Sequence, residues 1–155
     1  MSGQSVASWQ CPRCGFEQAS NDDAPRIALQ RPWHLRGPTE VKSYVESLGE
    51  ETYEWLLALY VKQAHANFEL LAVDTIARGD VGSVEMPFGK IIYRGQQLGA
   101  EGFVLVHNHP SGDPTPSDTD IRVTVRLARV SRDLDMPLLC HYVIAKGEMR
   151  TVGYW

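Results

Sequence analysis

Two histidines and an aspartate lie close together in the segment from His107 to Asp120. In an extended chain, residues two positions apart point to the same side, so His107 and His109 can converge on one point. Asp120 falls in the first turn of a predicted helix, where its carboxylate can face that point. Two imidazoles and one carboxylate leave the fourth position of a tetrahedral zinc ion open for water, the pattern of catalytic zinc sites. Zinc in such a site lowers the pKa of its water to about 7 and polarises a carbonyl group.

The same residues also fit a structural interpretation. A His-x-His pair is often no more than two hydrogen-bonded loop residues. The spacing Ser117-x-x-Asp120 is a helix-capping pattern, in which the serine and the acid each bind a backbone N–H of the other. The two interpretations are compatible, because a serine cap would hold Asp120 in place for metal binding.

The flanking sequence predicts the elements that position these residues. The apolar run Gly102–His107 predicts a buried strand that ends at the histidines, and Pro110 prevents the strand from continuing. A helix is then predicted over residues 118–135. Its inward face is predicted to consist of Val123, Leu127, Val130 and Leu134.

The remaining predicted elements define the fold class. They are a helix from Thr39, as its cap, to Gly49, strands over Trp55–Val61 and Asn67–Thr75, a helix from Pro87 to Gly99, and strands over Leu138–Ala145 and Met149–Trp155. This order predicts an α/β domain over residues 39–155, with a mixed β-sheet between layers of helices. Residues 1–38 lack periodicity and are predicted to form a loop-rich extension.

The string His107-Asn-His-Pro-Ser-Gly-Asp-Pro-Thr-Pro-Ser117, followed by Asp120, resembles the zinc motif of the JAMM (MPN+, JAB domain) metallopeptidases. It is most similar to the RadC-like branch, and the similarity runs from about residue 54 to residue 155. The resemblance implies a cytidine-deaminase-like α/β fold and one zinc ion on His107, His109 and Asp120. It also implies cleavage of peptide or isopeptide bonds, often at the C-terminus of ubiquitin or a ubiquitin-like protein.

The resemblance also implies roles for two further residues. Glu54, at the start of a run Glu-Trp-Leu-Leu-Ala-Leu-Tyr, would be the general base and then the acid, and Ser117 would help to stabilise the oxyanion or act only as a cap. The residues alone do not separate Glu54 from four other glutamates: Glu50, Glu51, Glu69 and Glu85. The chain departs from the usual RadC pattern at three places: Pro87-Phe-Gly, Cys140-His141 and Lys62. These departures affect the surroundings of the site and leave its three ligands unchanged.

The cysteines offer a second candidate site. Cys11-Pro-Arg-Cys14-Gly resembles half of a zinc ribbon, and a closed structural zinc site needs four ligands. The candidates for the remaining zinc ligands are His34, Cys140, His141 and residues of a second chain. Cys140 and His141 are strand neighbours that point to opposite faces, so we do not expect them to form a nucleophile–base pair. We expect His141 to be a hydrogen-bonded core histidine.

Composition limits the partners. The chain of 155 residues is 43% apolar and has a formal charge of −4, which disfavours general nucleic-acid binding. The chain has one positively charged stripe, formed by Arg122, Arg126 and Arg129 on the predicted helix. Its simplest interpretation is a solvated helix face. The longest apolar run, Trp55–Val61, is far shorter than the ~20 residues of a membrane span.

We therefore expect a cytoplasmic zinc metallopeptidase whose substrate is a protein or peptide, with no membrane partner. Three cysteines are an odd number, which argues against a disulfide framework and favours a reducing compartment. The first residues lack the basic start and the apolar stretch of a secretion signal. The alternatives are a non-catalytic metal-binding interaction module and a RadC-like protein associated with DNA repair.

Overall fold

The computed structural model describes residues 34–79 and 86–154, which form six strands, three α-helices and one 3₁₀ helix. The elements are β1 (His34–Leu35), α1 (Pro38–Val45) followed by a 3₁₀ helix (Glu46–Glu50), β2 (Trp55–Ala64), β3 (Asn67–Arg78), α2 (Phe88–Gln97), β4 (Gly102–Asn108), α3 (Asp118–Asp133), β5 (Leu138–Ala145) and β6 (Glu148–Tyr154). The α/β class predicted from the sequence is confirmed.

The six strands form one mixed sheet in the order β1-β3-β2-β4-β5-β6. Strands β4 and β5 are parallel and are connected through α3, whereas the other neighbouring pairs are antiparallel. Because β2 runs against β4, with Leu56 opposite His107, the start of β2 and the end of β4 lie at the same edge of the sheet. This edge also receives the end of β5.

Helices cover both faces of the sheet, as predicted. On one face, Val41 and Val45 of α1 and Leu48 of the 3₁₀ helix pack against alternate residues of the central strands: Trp55, Leu57, Leu59, Val104 and Val106. On the other face, Ile91 and Ile92 of α2 and Leu127 of α3 pack against the intervening strand residues: Leu56, Ala58, Tyr60, Phe103 and Leu105. The centre of the sheet is therefore buried on both sides, which explains why β2 and β4 are continuous apolar runs.

Two details of the helices differ from the predictions. The first helix has Gly37 as its cap and begins with Pro38, so Thr39 is not the cap. Proline fits this first helical position because its missing N–H would have no partner there. On α3 the predicted inward face is wrong for Leu134, which is 48% exposed. The buried residues of that helix are Asp120, Thr124, Leu127, Ala128 and Ser131.

Part of the predicted N-terminal extension is described. Strand β1 pairs with β3, where His34 is opposite Glu69, and Pro38 begins α1. Residues 1–33, with Cys11 and Cys14, lie outside the described residues, so the knuckle and the domain boundary stay predictions. Among the residues that the structure covers, no helix is both long and apolar enough to span a bilayer.

Candidate metal centre

Strand β4 and helix α3 bring the two histidines and Asp120 together. His107 lies in β4 and is fully buried, and His109 follows the strand and keeps a side chain that is 17% exposed. Asp120 occupies the first turn of α3, where Ser117 is the cap. The Oγ of Ser117 accepts a hydrogen bond from the Asp120 N–H, and Oδ2 of Asp120 accepts from both the N–H and the hydroxyl of Ser117. This capping box fixes the direction of the carboxylate.

The ligand atoms have the spacing of a cation site. The Nε2 atoms of His107 and His109 are 3.0 Å apart. Asp120 places Oδ1 3.3 Å from Nε2 of His107 and Oδ2 3.4 Å from Nε2 of His109. Ligand atoms at about 2.0–2.1 Å from a tetrahedral zinc ion lie about 3.3–3.4 Å from one another. The donor set and its spacing therefore fit a metal ion of this size.

Glu54 supplies a second carboxylate at the same place. It lies just before β2, is half-buried, and has a carboxylate oxygen within 4.8 Å of one ring nitrogen of each histidine, so these three residues could together hold a metal ion. Because Leu56 is opposite His107, the chain that precedes β2 passes alongside His109. The structure thus brings Glu54 to the histidines, whereas Glu50 lies in the 3₁₀ helix and Glu69 lies in β3.

Asn108 holds the backbone on both sides of Glu54. Its side-chain oxygen accepts a hydrogen bond from the Trp55 N–H at 2.7 Å, and its amide donates to the Tyr53 carbonyl at 2.8 Å. The amide also lies 3.4 Å from the Glu51 carbonyl. Since Asn108 stands between the two histidines in the chain and is fully buried, it connects the segment of Glu54 directly to the segment of the ligands.

The outer nitrogens of the histidines are also bonded. Nδ1 of His109 donates to the Asp113 carbonyl at 2.8 Å. Nδ1 of His107 lies 2.8 Å from Nε2 of His141, whose own Nδ1 lies 2.7 Å from the hydroxyl of Thr124. Metal-binding histidines usually have such partners, because they fix the orientation of the ring and its tautomer.

Burial and charge set the protonation of the site. Burial lowers the pKa of His107 and lowers that of His141 well below its ordinary value. The close contact with the Asp120 carboxylate raises the pKa of His109. Burial alone would raise the pKa of Asp120, but its close contacts with both histidines outweigh burial and hold that pKa well below its ordinary range. Asp120 is therefore a carboxylate and His107 is neutral at pH 7, the forms in which each binds a cation.

Three residues considered for the cysteine site are not among the ligands of this cluster, although His141 contacts His107. Cys140 packs on the α1 face of the sheet, where its Sγ lies 3.5 Å from the Thr151 hydroxyl. His141, the next residue of β5, points the other way to Thr124, so the two cannot act as a pair. The backbone carbonyl of His34 accepts from the Tyr44 hydroxyl, far along the sheet at its β1 edge.

Sequence reasoning missed the partners of the histidines. The sequence predicts no role for Thr124, Asn108 or Asp113. The prediction that His141 is a hydrogen-bonded core histidine is confirmed, but its contact with His107 was not predicted. Their signal is weak in a sequence, because each acts through strand pairing or loop closure between distant segments. The one available hint was a histidine, His141, in an otherwise apolar strand.

Residues 35–152 match the family model described as the RadC-like JAB domain. The chain belongs to the RadC-like JAB domain family. The resemblance identified from the histidine string is thereby confirmed. Relatives of this RadC-like JAB domain include a UPF0758 protein of Aquifex aeolicus, 32% identical over 113 residues, which are 73% of this chain and 48% of the relative. A UPF0758 protein of Neisseria meningitidis is 32% identical over 124 residues, which are 79% of this chain and 54% of the relative.

A third relative has a higher identity over a shorter alignment. The UPF0758 protein of Rhodobacter capsulatus is 42% identical over 78 residues, which are 50% of this chain and 36% of that protein. The RadC-like JAB domain described here thus spans about half the length, or less, of these curated relatives.

Proposed function

We propose that this RadC-like JAB domain is a zinc metallopeptidase that hydrolyses a peptide or isopeptide bond. One observation carries the proposal: the Nε2 atoms of His107 and His109 and the carboxylate of Asp120 lie 3.0–3.4 Å apart, and a separate carboxylate, Glu54, lies within 4.8 Å of a ring nitrogen of each histidine. Three ligands with a neighbouring carboxylate are the parts that metal-assisted hydrolysis requires.

In this proposal His107, His109 and Asp120 hold the zinc ion. Bound zinc supplies a Lewis acid that activates water and polarises the scissile carbonyl. Glu54 takes a proton from the attacking water and delivers it to the amine nitrogen that leaves. Its position supports this assignment, because it is half-buried and its segment is fixed by Asn108 on both sides.

Ser117 has a positioning role in the proposal. Its hydroxyl donates to Oδ2 of Asp120 at 2.8 Å and accepts from the Asp120 N–H, so it orients a ligand. Stabilisation of the oxyanion by Ser117 stays a prediction, since its hydroxyl would have to leave Asp120 in order to reach the substrate oxygen.

The proposed substrate is an extended segment of a protein or peptide in the cytoplasm. The exposed fraction of His109 and the half-buried Glu54 form the accessible side of the site, while His107 and Asp120 are covered. A chain that approaches the strand ends of β2 and β4 in extended form would meet both accessible residues.

The first experiment tests the metal. Zinc per chain is measured by elemental analysis in the 155-residue chain that carries Cys11→Ser and Cys14→Ser, so that zinc at the CxxC sequence does not contribute. The proposal expects nearly one zinc ion per chain, which is lost when His109→Ala is added. A chain that binds no zinc in this background, or equal zinc with and without His109, contradicts the proposal.

The second experiment tests hydrolysis. Zinc-loaded wild type is incubated with a library of proteome-derived peptides and with a library of lysine-branched isopeptides, and the products are identified by mass spectrometry. The control is Glu54→Gln, which keeps the shape of the side chain. Cleavage by wild type alone supports the peptidase. Full zinc loading with no cleavage above the Glu54→Gln background instead favours a non-catalytic metal-binding module.

A further inference from the structure

We propose that Thr124 and His141 form a hydrogen-bond relay that holds His107 in its metal-binding tautomer before any metal arrives. The inference rests on the metal centre of the proposed function but not on peptidase chemistry. It assigns a task to the buried polar side chains of α3 and β5 that no step of hydrolysis uses.

The direction of the relay is set at Thr124. Its hydroxyl is hydrogen-bonded to the backbone carbonyl of Asp120, one turn earlier in α3. A carbonyl oxygen can only accept, and a hydroxyl has a single proton. The proton of Thr124 is therefore committed to Asp120, and its oxygen can only accept from any other partner.

The next link is His141, whose Nδ1 lies 2.7 Å from that oxygen. Since Thr124 can only accept here, Nδ1 of His141 must carry a proton. The side chain is fully buried, and its ring nitrogens are bonded to a hydroxyl and to another imidazole, neither of which is an anion. A neutral imidazole has one N–H, so Nε2 of His141 is an acceptor.

The last link is His107, whose Nδ1 lies 2.8 Å from Nε2 of His141. This nitrogen must donate, which leaves the lone pair on the Nε2 atom that faces His109 and Asp120. His109 reaches the same arrangement by a shorter route, because its Nδ1 donates to the Asp113 carbonyl. A separate set of hydrogen bonds therefore fixes the tautomer of each histidine. The set that starts at His107 ends at the backbone carbonyl of the third ligand, Asp120.

Removal of the Thr124 hydroxyl should reverse the relay. In Thr124→Val, Nδ1–H of His141 loses its buried acceptor, and the other tautomer of His141 gains a bond by donating from Nε2 to His107. His107 then carries its proton on Nε2, where the metal must bind. Loss of such an outer partner typically weakens metal affinity about 10–100-fold.

The test compares Thr124→Val with Thr124→Ser, which keeps the hydroxyl, in the 155-residue chain with Cys11→Ser and Cys14→Ser. Zinc affinity is measured by competition with a chromogenic chelator. The relay predicts affinity about 10–100-fold weaker for valine and within about threefold of wild type for serine. Equal affinity for valine and wild type, or equal weakening by valine and serine, overturns it.

Nitrogen NMR of the histidine rings gives a second readout that packing alone would not move. In metal-free protein, His107 should carry its proton on Nδ1 in wild type and Thr124→Ser, and on Nε2 in Thr124→Val. If the valine variant fails to fold, the wild-type spectrum still decides, because a His107 proton on Nε2 overturns the relay. Failure of the peptidase alone would leave both readouts unchanged, so the two proposals fail separately.

Discussion

The side chain of Asn108 is the most informative place to test how the site is held together. In Asn108→Ala, the Trp55 N–H loses an acceptor at 2.7 Å and the Tyr53 carbonyl loses a donor at 2.8 Å. A buried polar group without a partner costs about 1–3 kcal/mol, which applies fully to the Trp55 N–H. The Tyr53 carbonyl is only part-buried, so its loss adds about 1 kcal/mol. The expected decrease in the free energy of unfolding is about 2–4 kcal/mol.

The assay is urea denaturation of metal-free protein, in which the midpoint should fall while the slope stays unchanged. The matched control is Asn67→Ala at the start of β3, beside the opposite end of β2, which should change stability by no more than about 0.5 kcal/mol. A second measurement concerns function: cleavage should fall because Glu54 is displaced, whereas zinc affinity should fall far less than in His109→Ala. A loss of stability below about 0.5 kcal/mol, or zinc affinity as weak as in His109→Ala, would refute this account of Asn108.

Three further predictions follow from the same contacts. Glu54→Gln should lower cleavage about 10²–10⁴-fold at unchanged zinc content; loss of zinc by elemental analysis would instead make Glu54 a ligand. Ser117→Ala should cost about 1 kcal/mol in urea denaturation and weaken zinc affinity, because Asp120 loses its cap; unchanged stability would contradict the capping box. Gly112 has a φ of +85° and lies against the Lys146 side chain, so Gly112→Ala should cost about 1–2 kcal/mol by thermal unfolding. Adding Lys146→Ala should not restore most of that loss, since the backbone angle causes it, and a full restoration would show that the clash dominates.

The strand alternation and the motif spacing were enough to predict the parts of the site that are local in sequence. His107 and His109 are two residues apart at the end of an apolar strand, and the structure places their Nε2 atoms 3.0 Å from one another. Ser117 and Asp120 are related by helix capping, which depends on four consecutive residues. Such features need no knowledge of which strands are neighbours.

Hydrophobic periodicity misplaced the buried face of α3 for a physical reason. The apolar stripe predicted from Val123 to Leu134 is rotated by roughly 75° from the observed buried face, at about 100° per residue. Thr124 and Ser131 are polar but fully buried, because each has a hydrogen-bond partner in β5. The Thr124 hydroxyl is bonded to His141, and the Ser131 hydroxyl accepts from the Leu138 N–H. Partners on another element cannot be read from one helix.

The pairing of β4 with β5 and of β2 with β4 also lay beyond sequence reasoning. These pairings bring His141 to His107 across 34 residues and Asn108 to the Trp55 N–H across 53 residues. The pairing of β2 with β4 decides which glutamate lies beside the histidines. The residues alone therefore could not select Glu54, and only the family resemblance did so.

The register between β2 and β4 has a consequence for the descent of this domain. A shift of two residues would keep every side chain of β2 on its present face, and the core would still close. It would also move Glu54 about 6.6 Å along the strand, more than the 4.8 Å that now bounds its separation from the histidines. An insertion or deletion of two residues would therefore separate this carboxylate from the histidines while every residue of the motif survives. In sister domains, the distance in space between this carboxylate and the histidines shows whether the cluster is intact, which the presence of the residues alone does not.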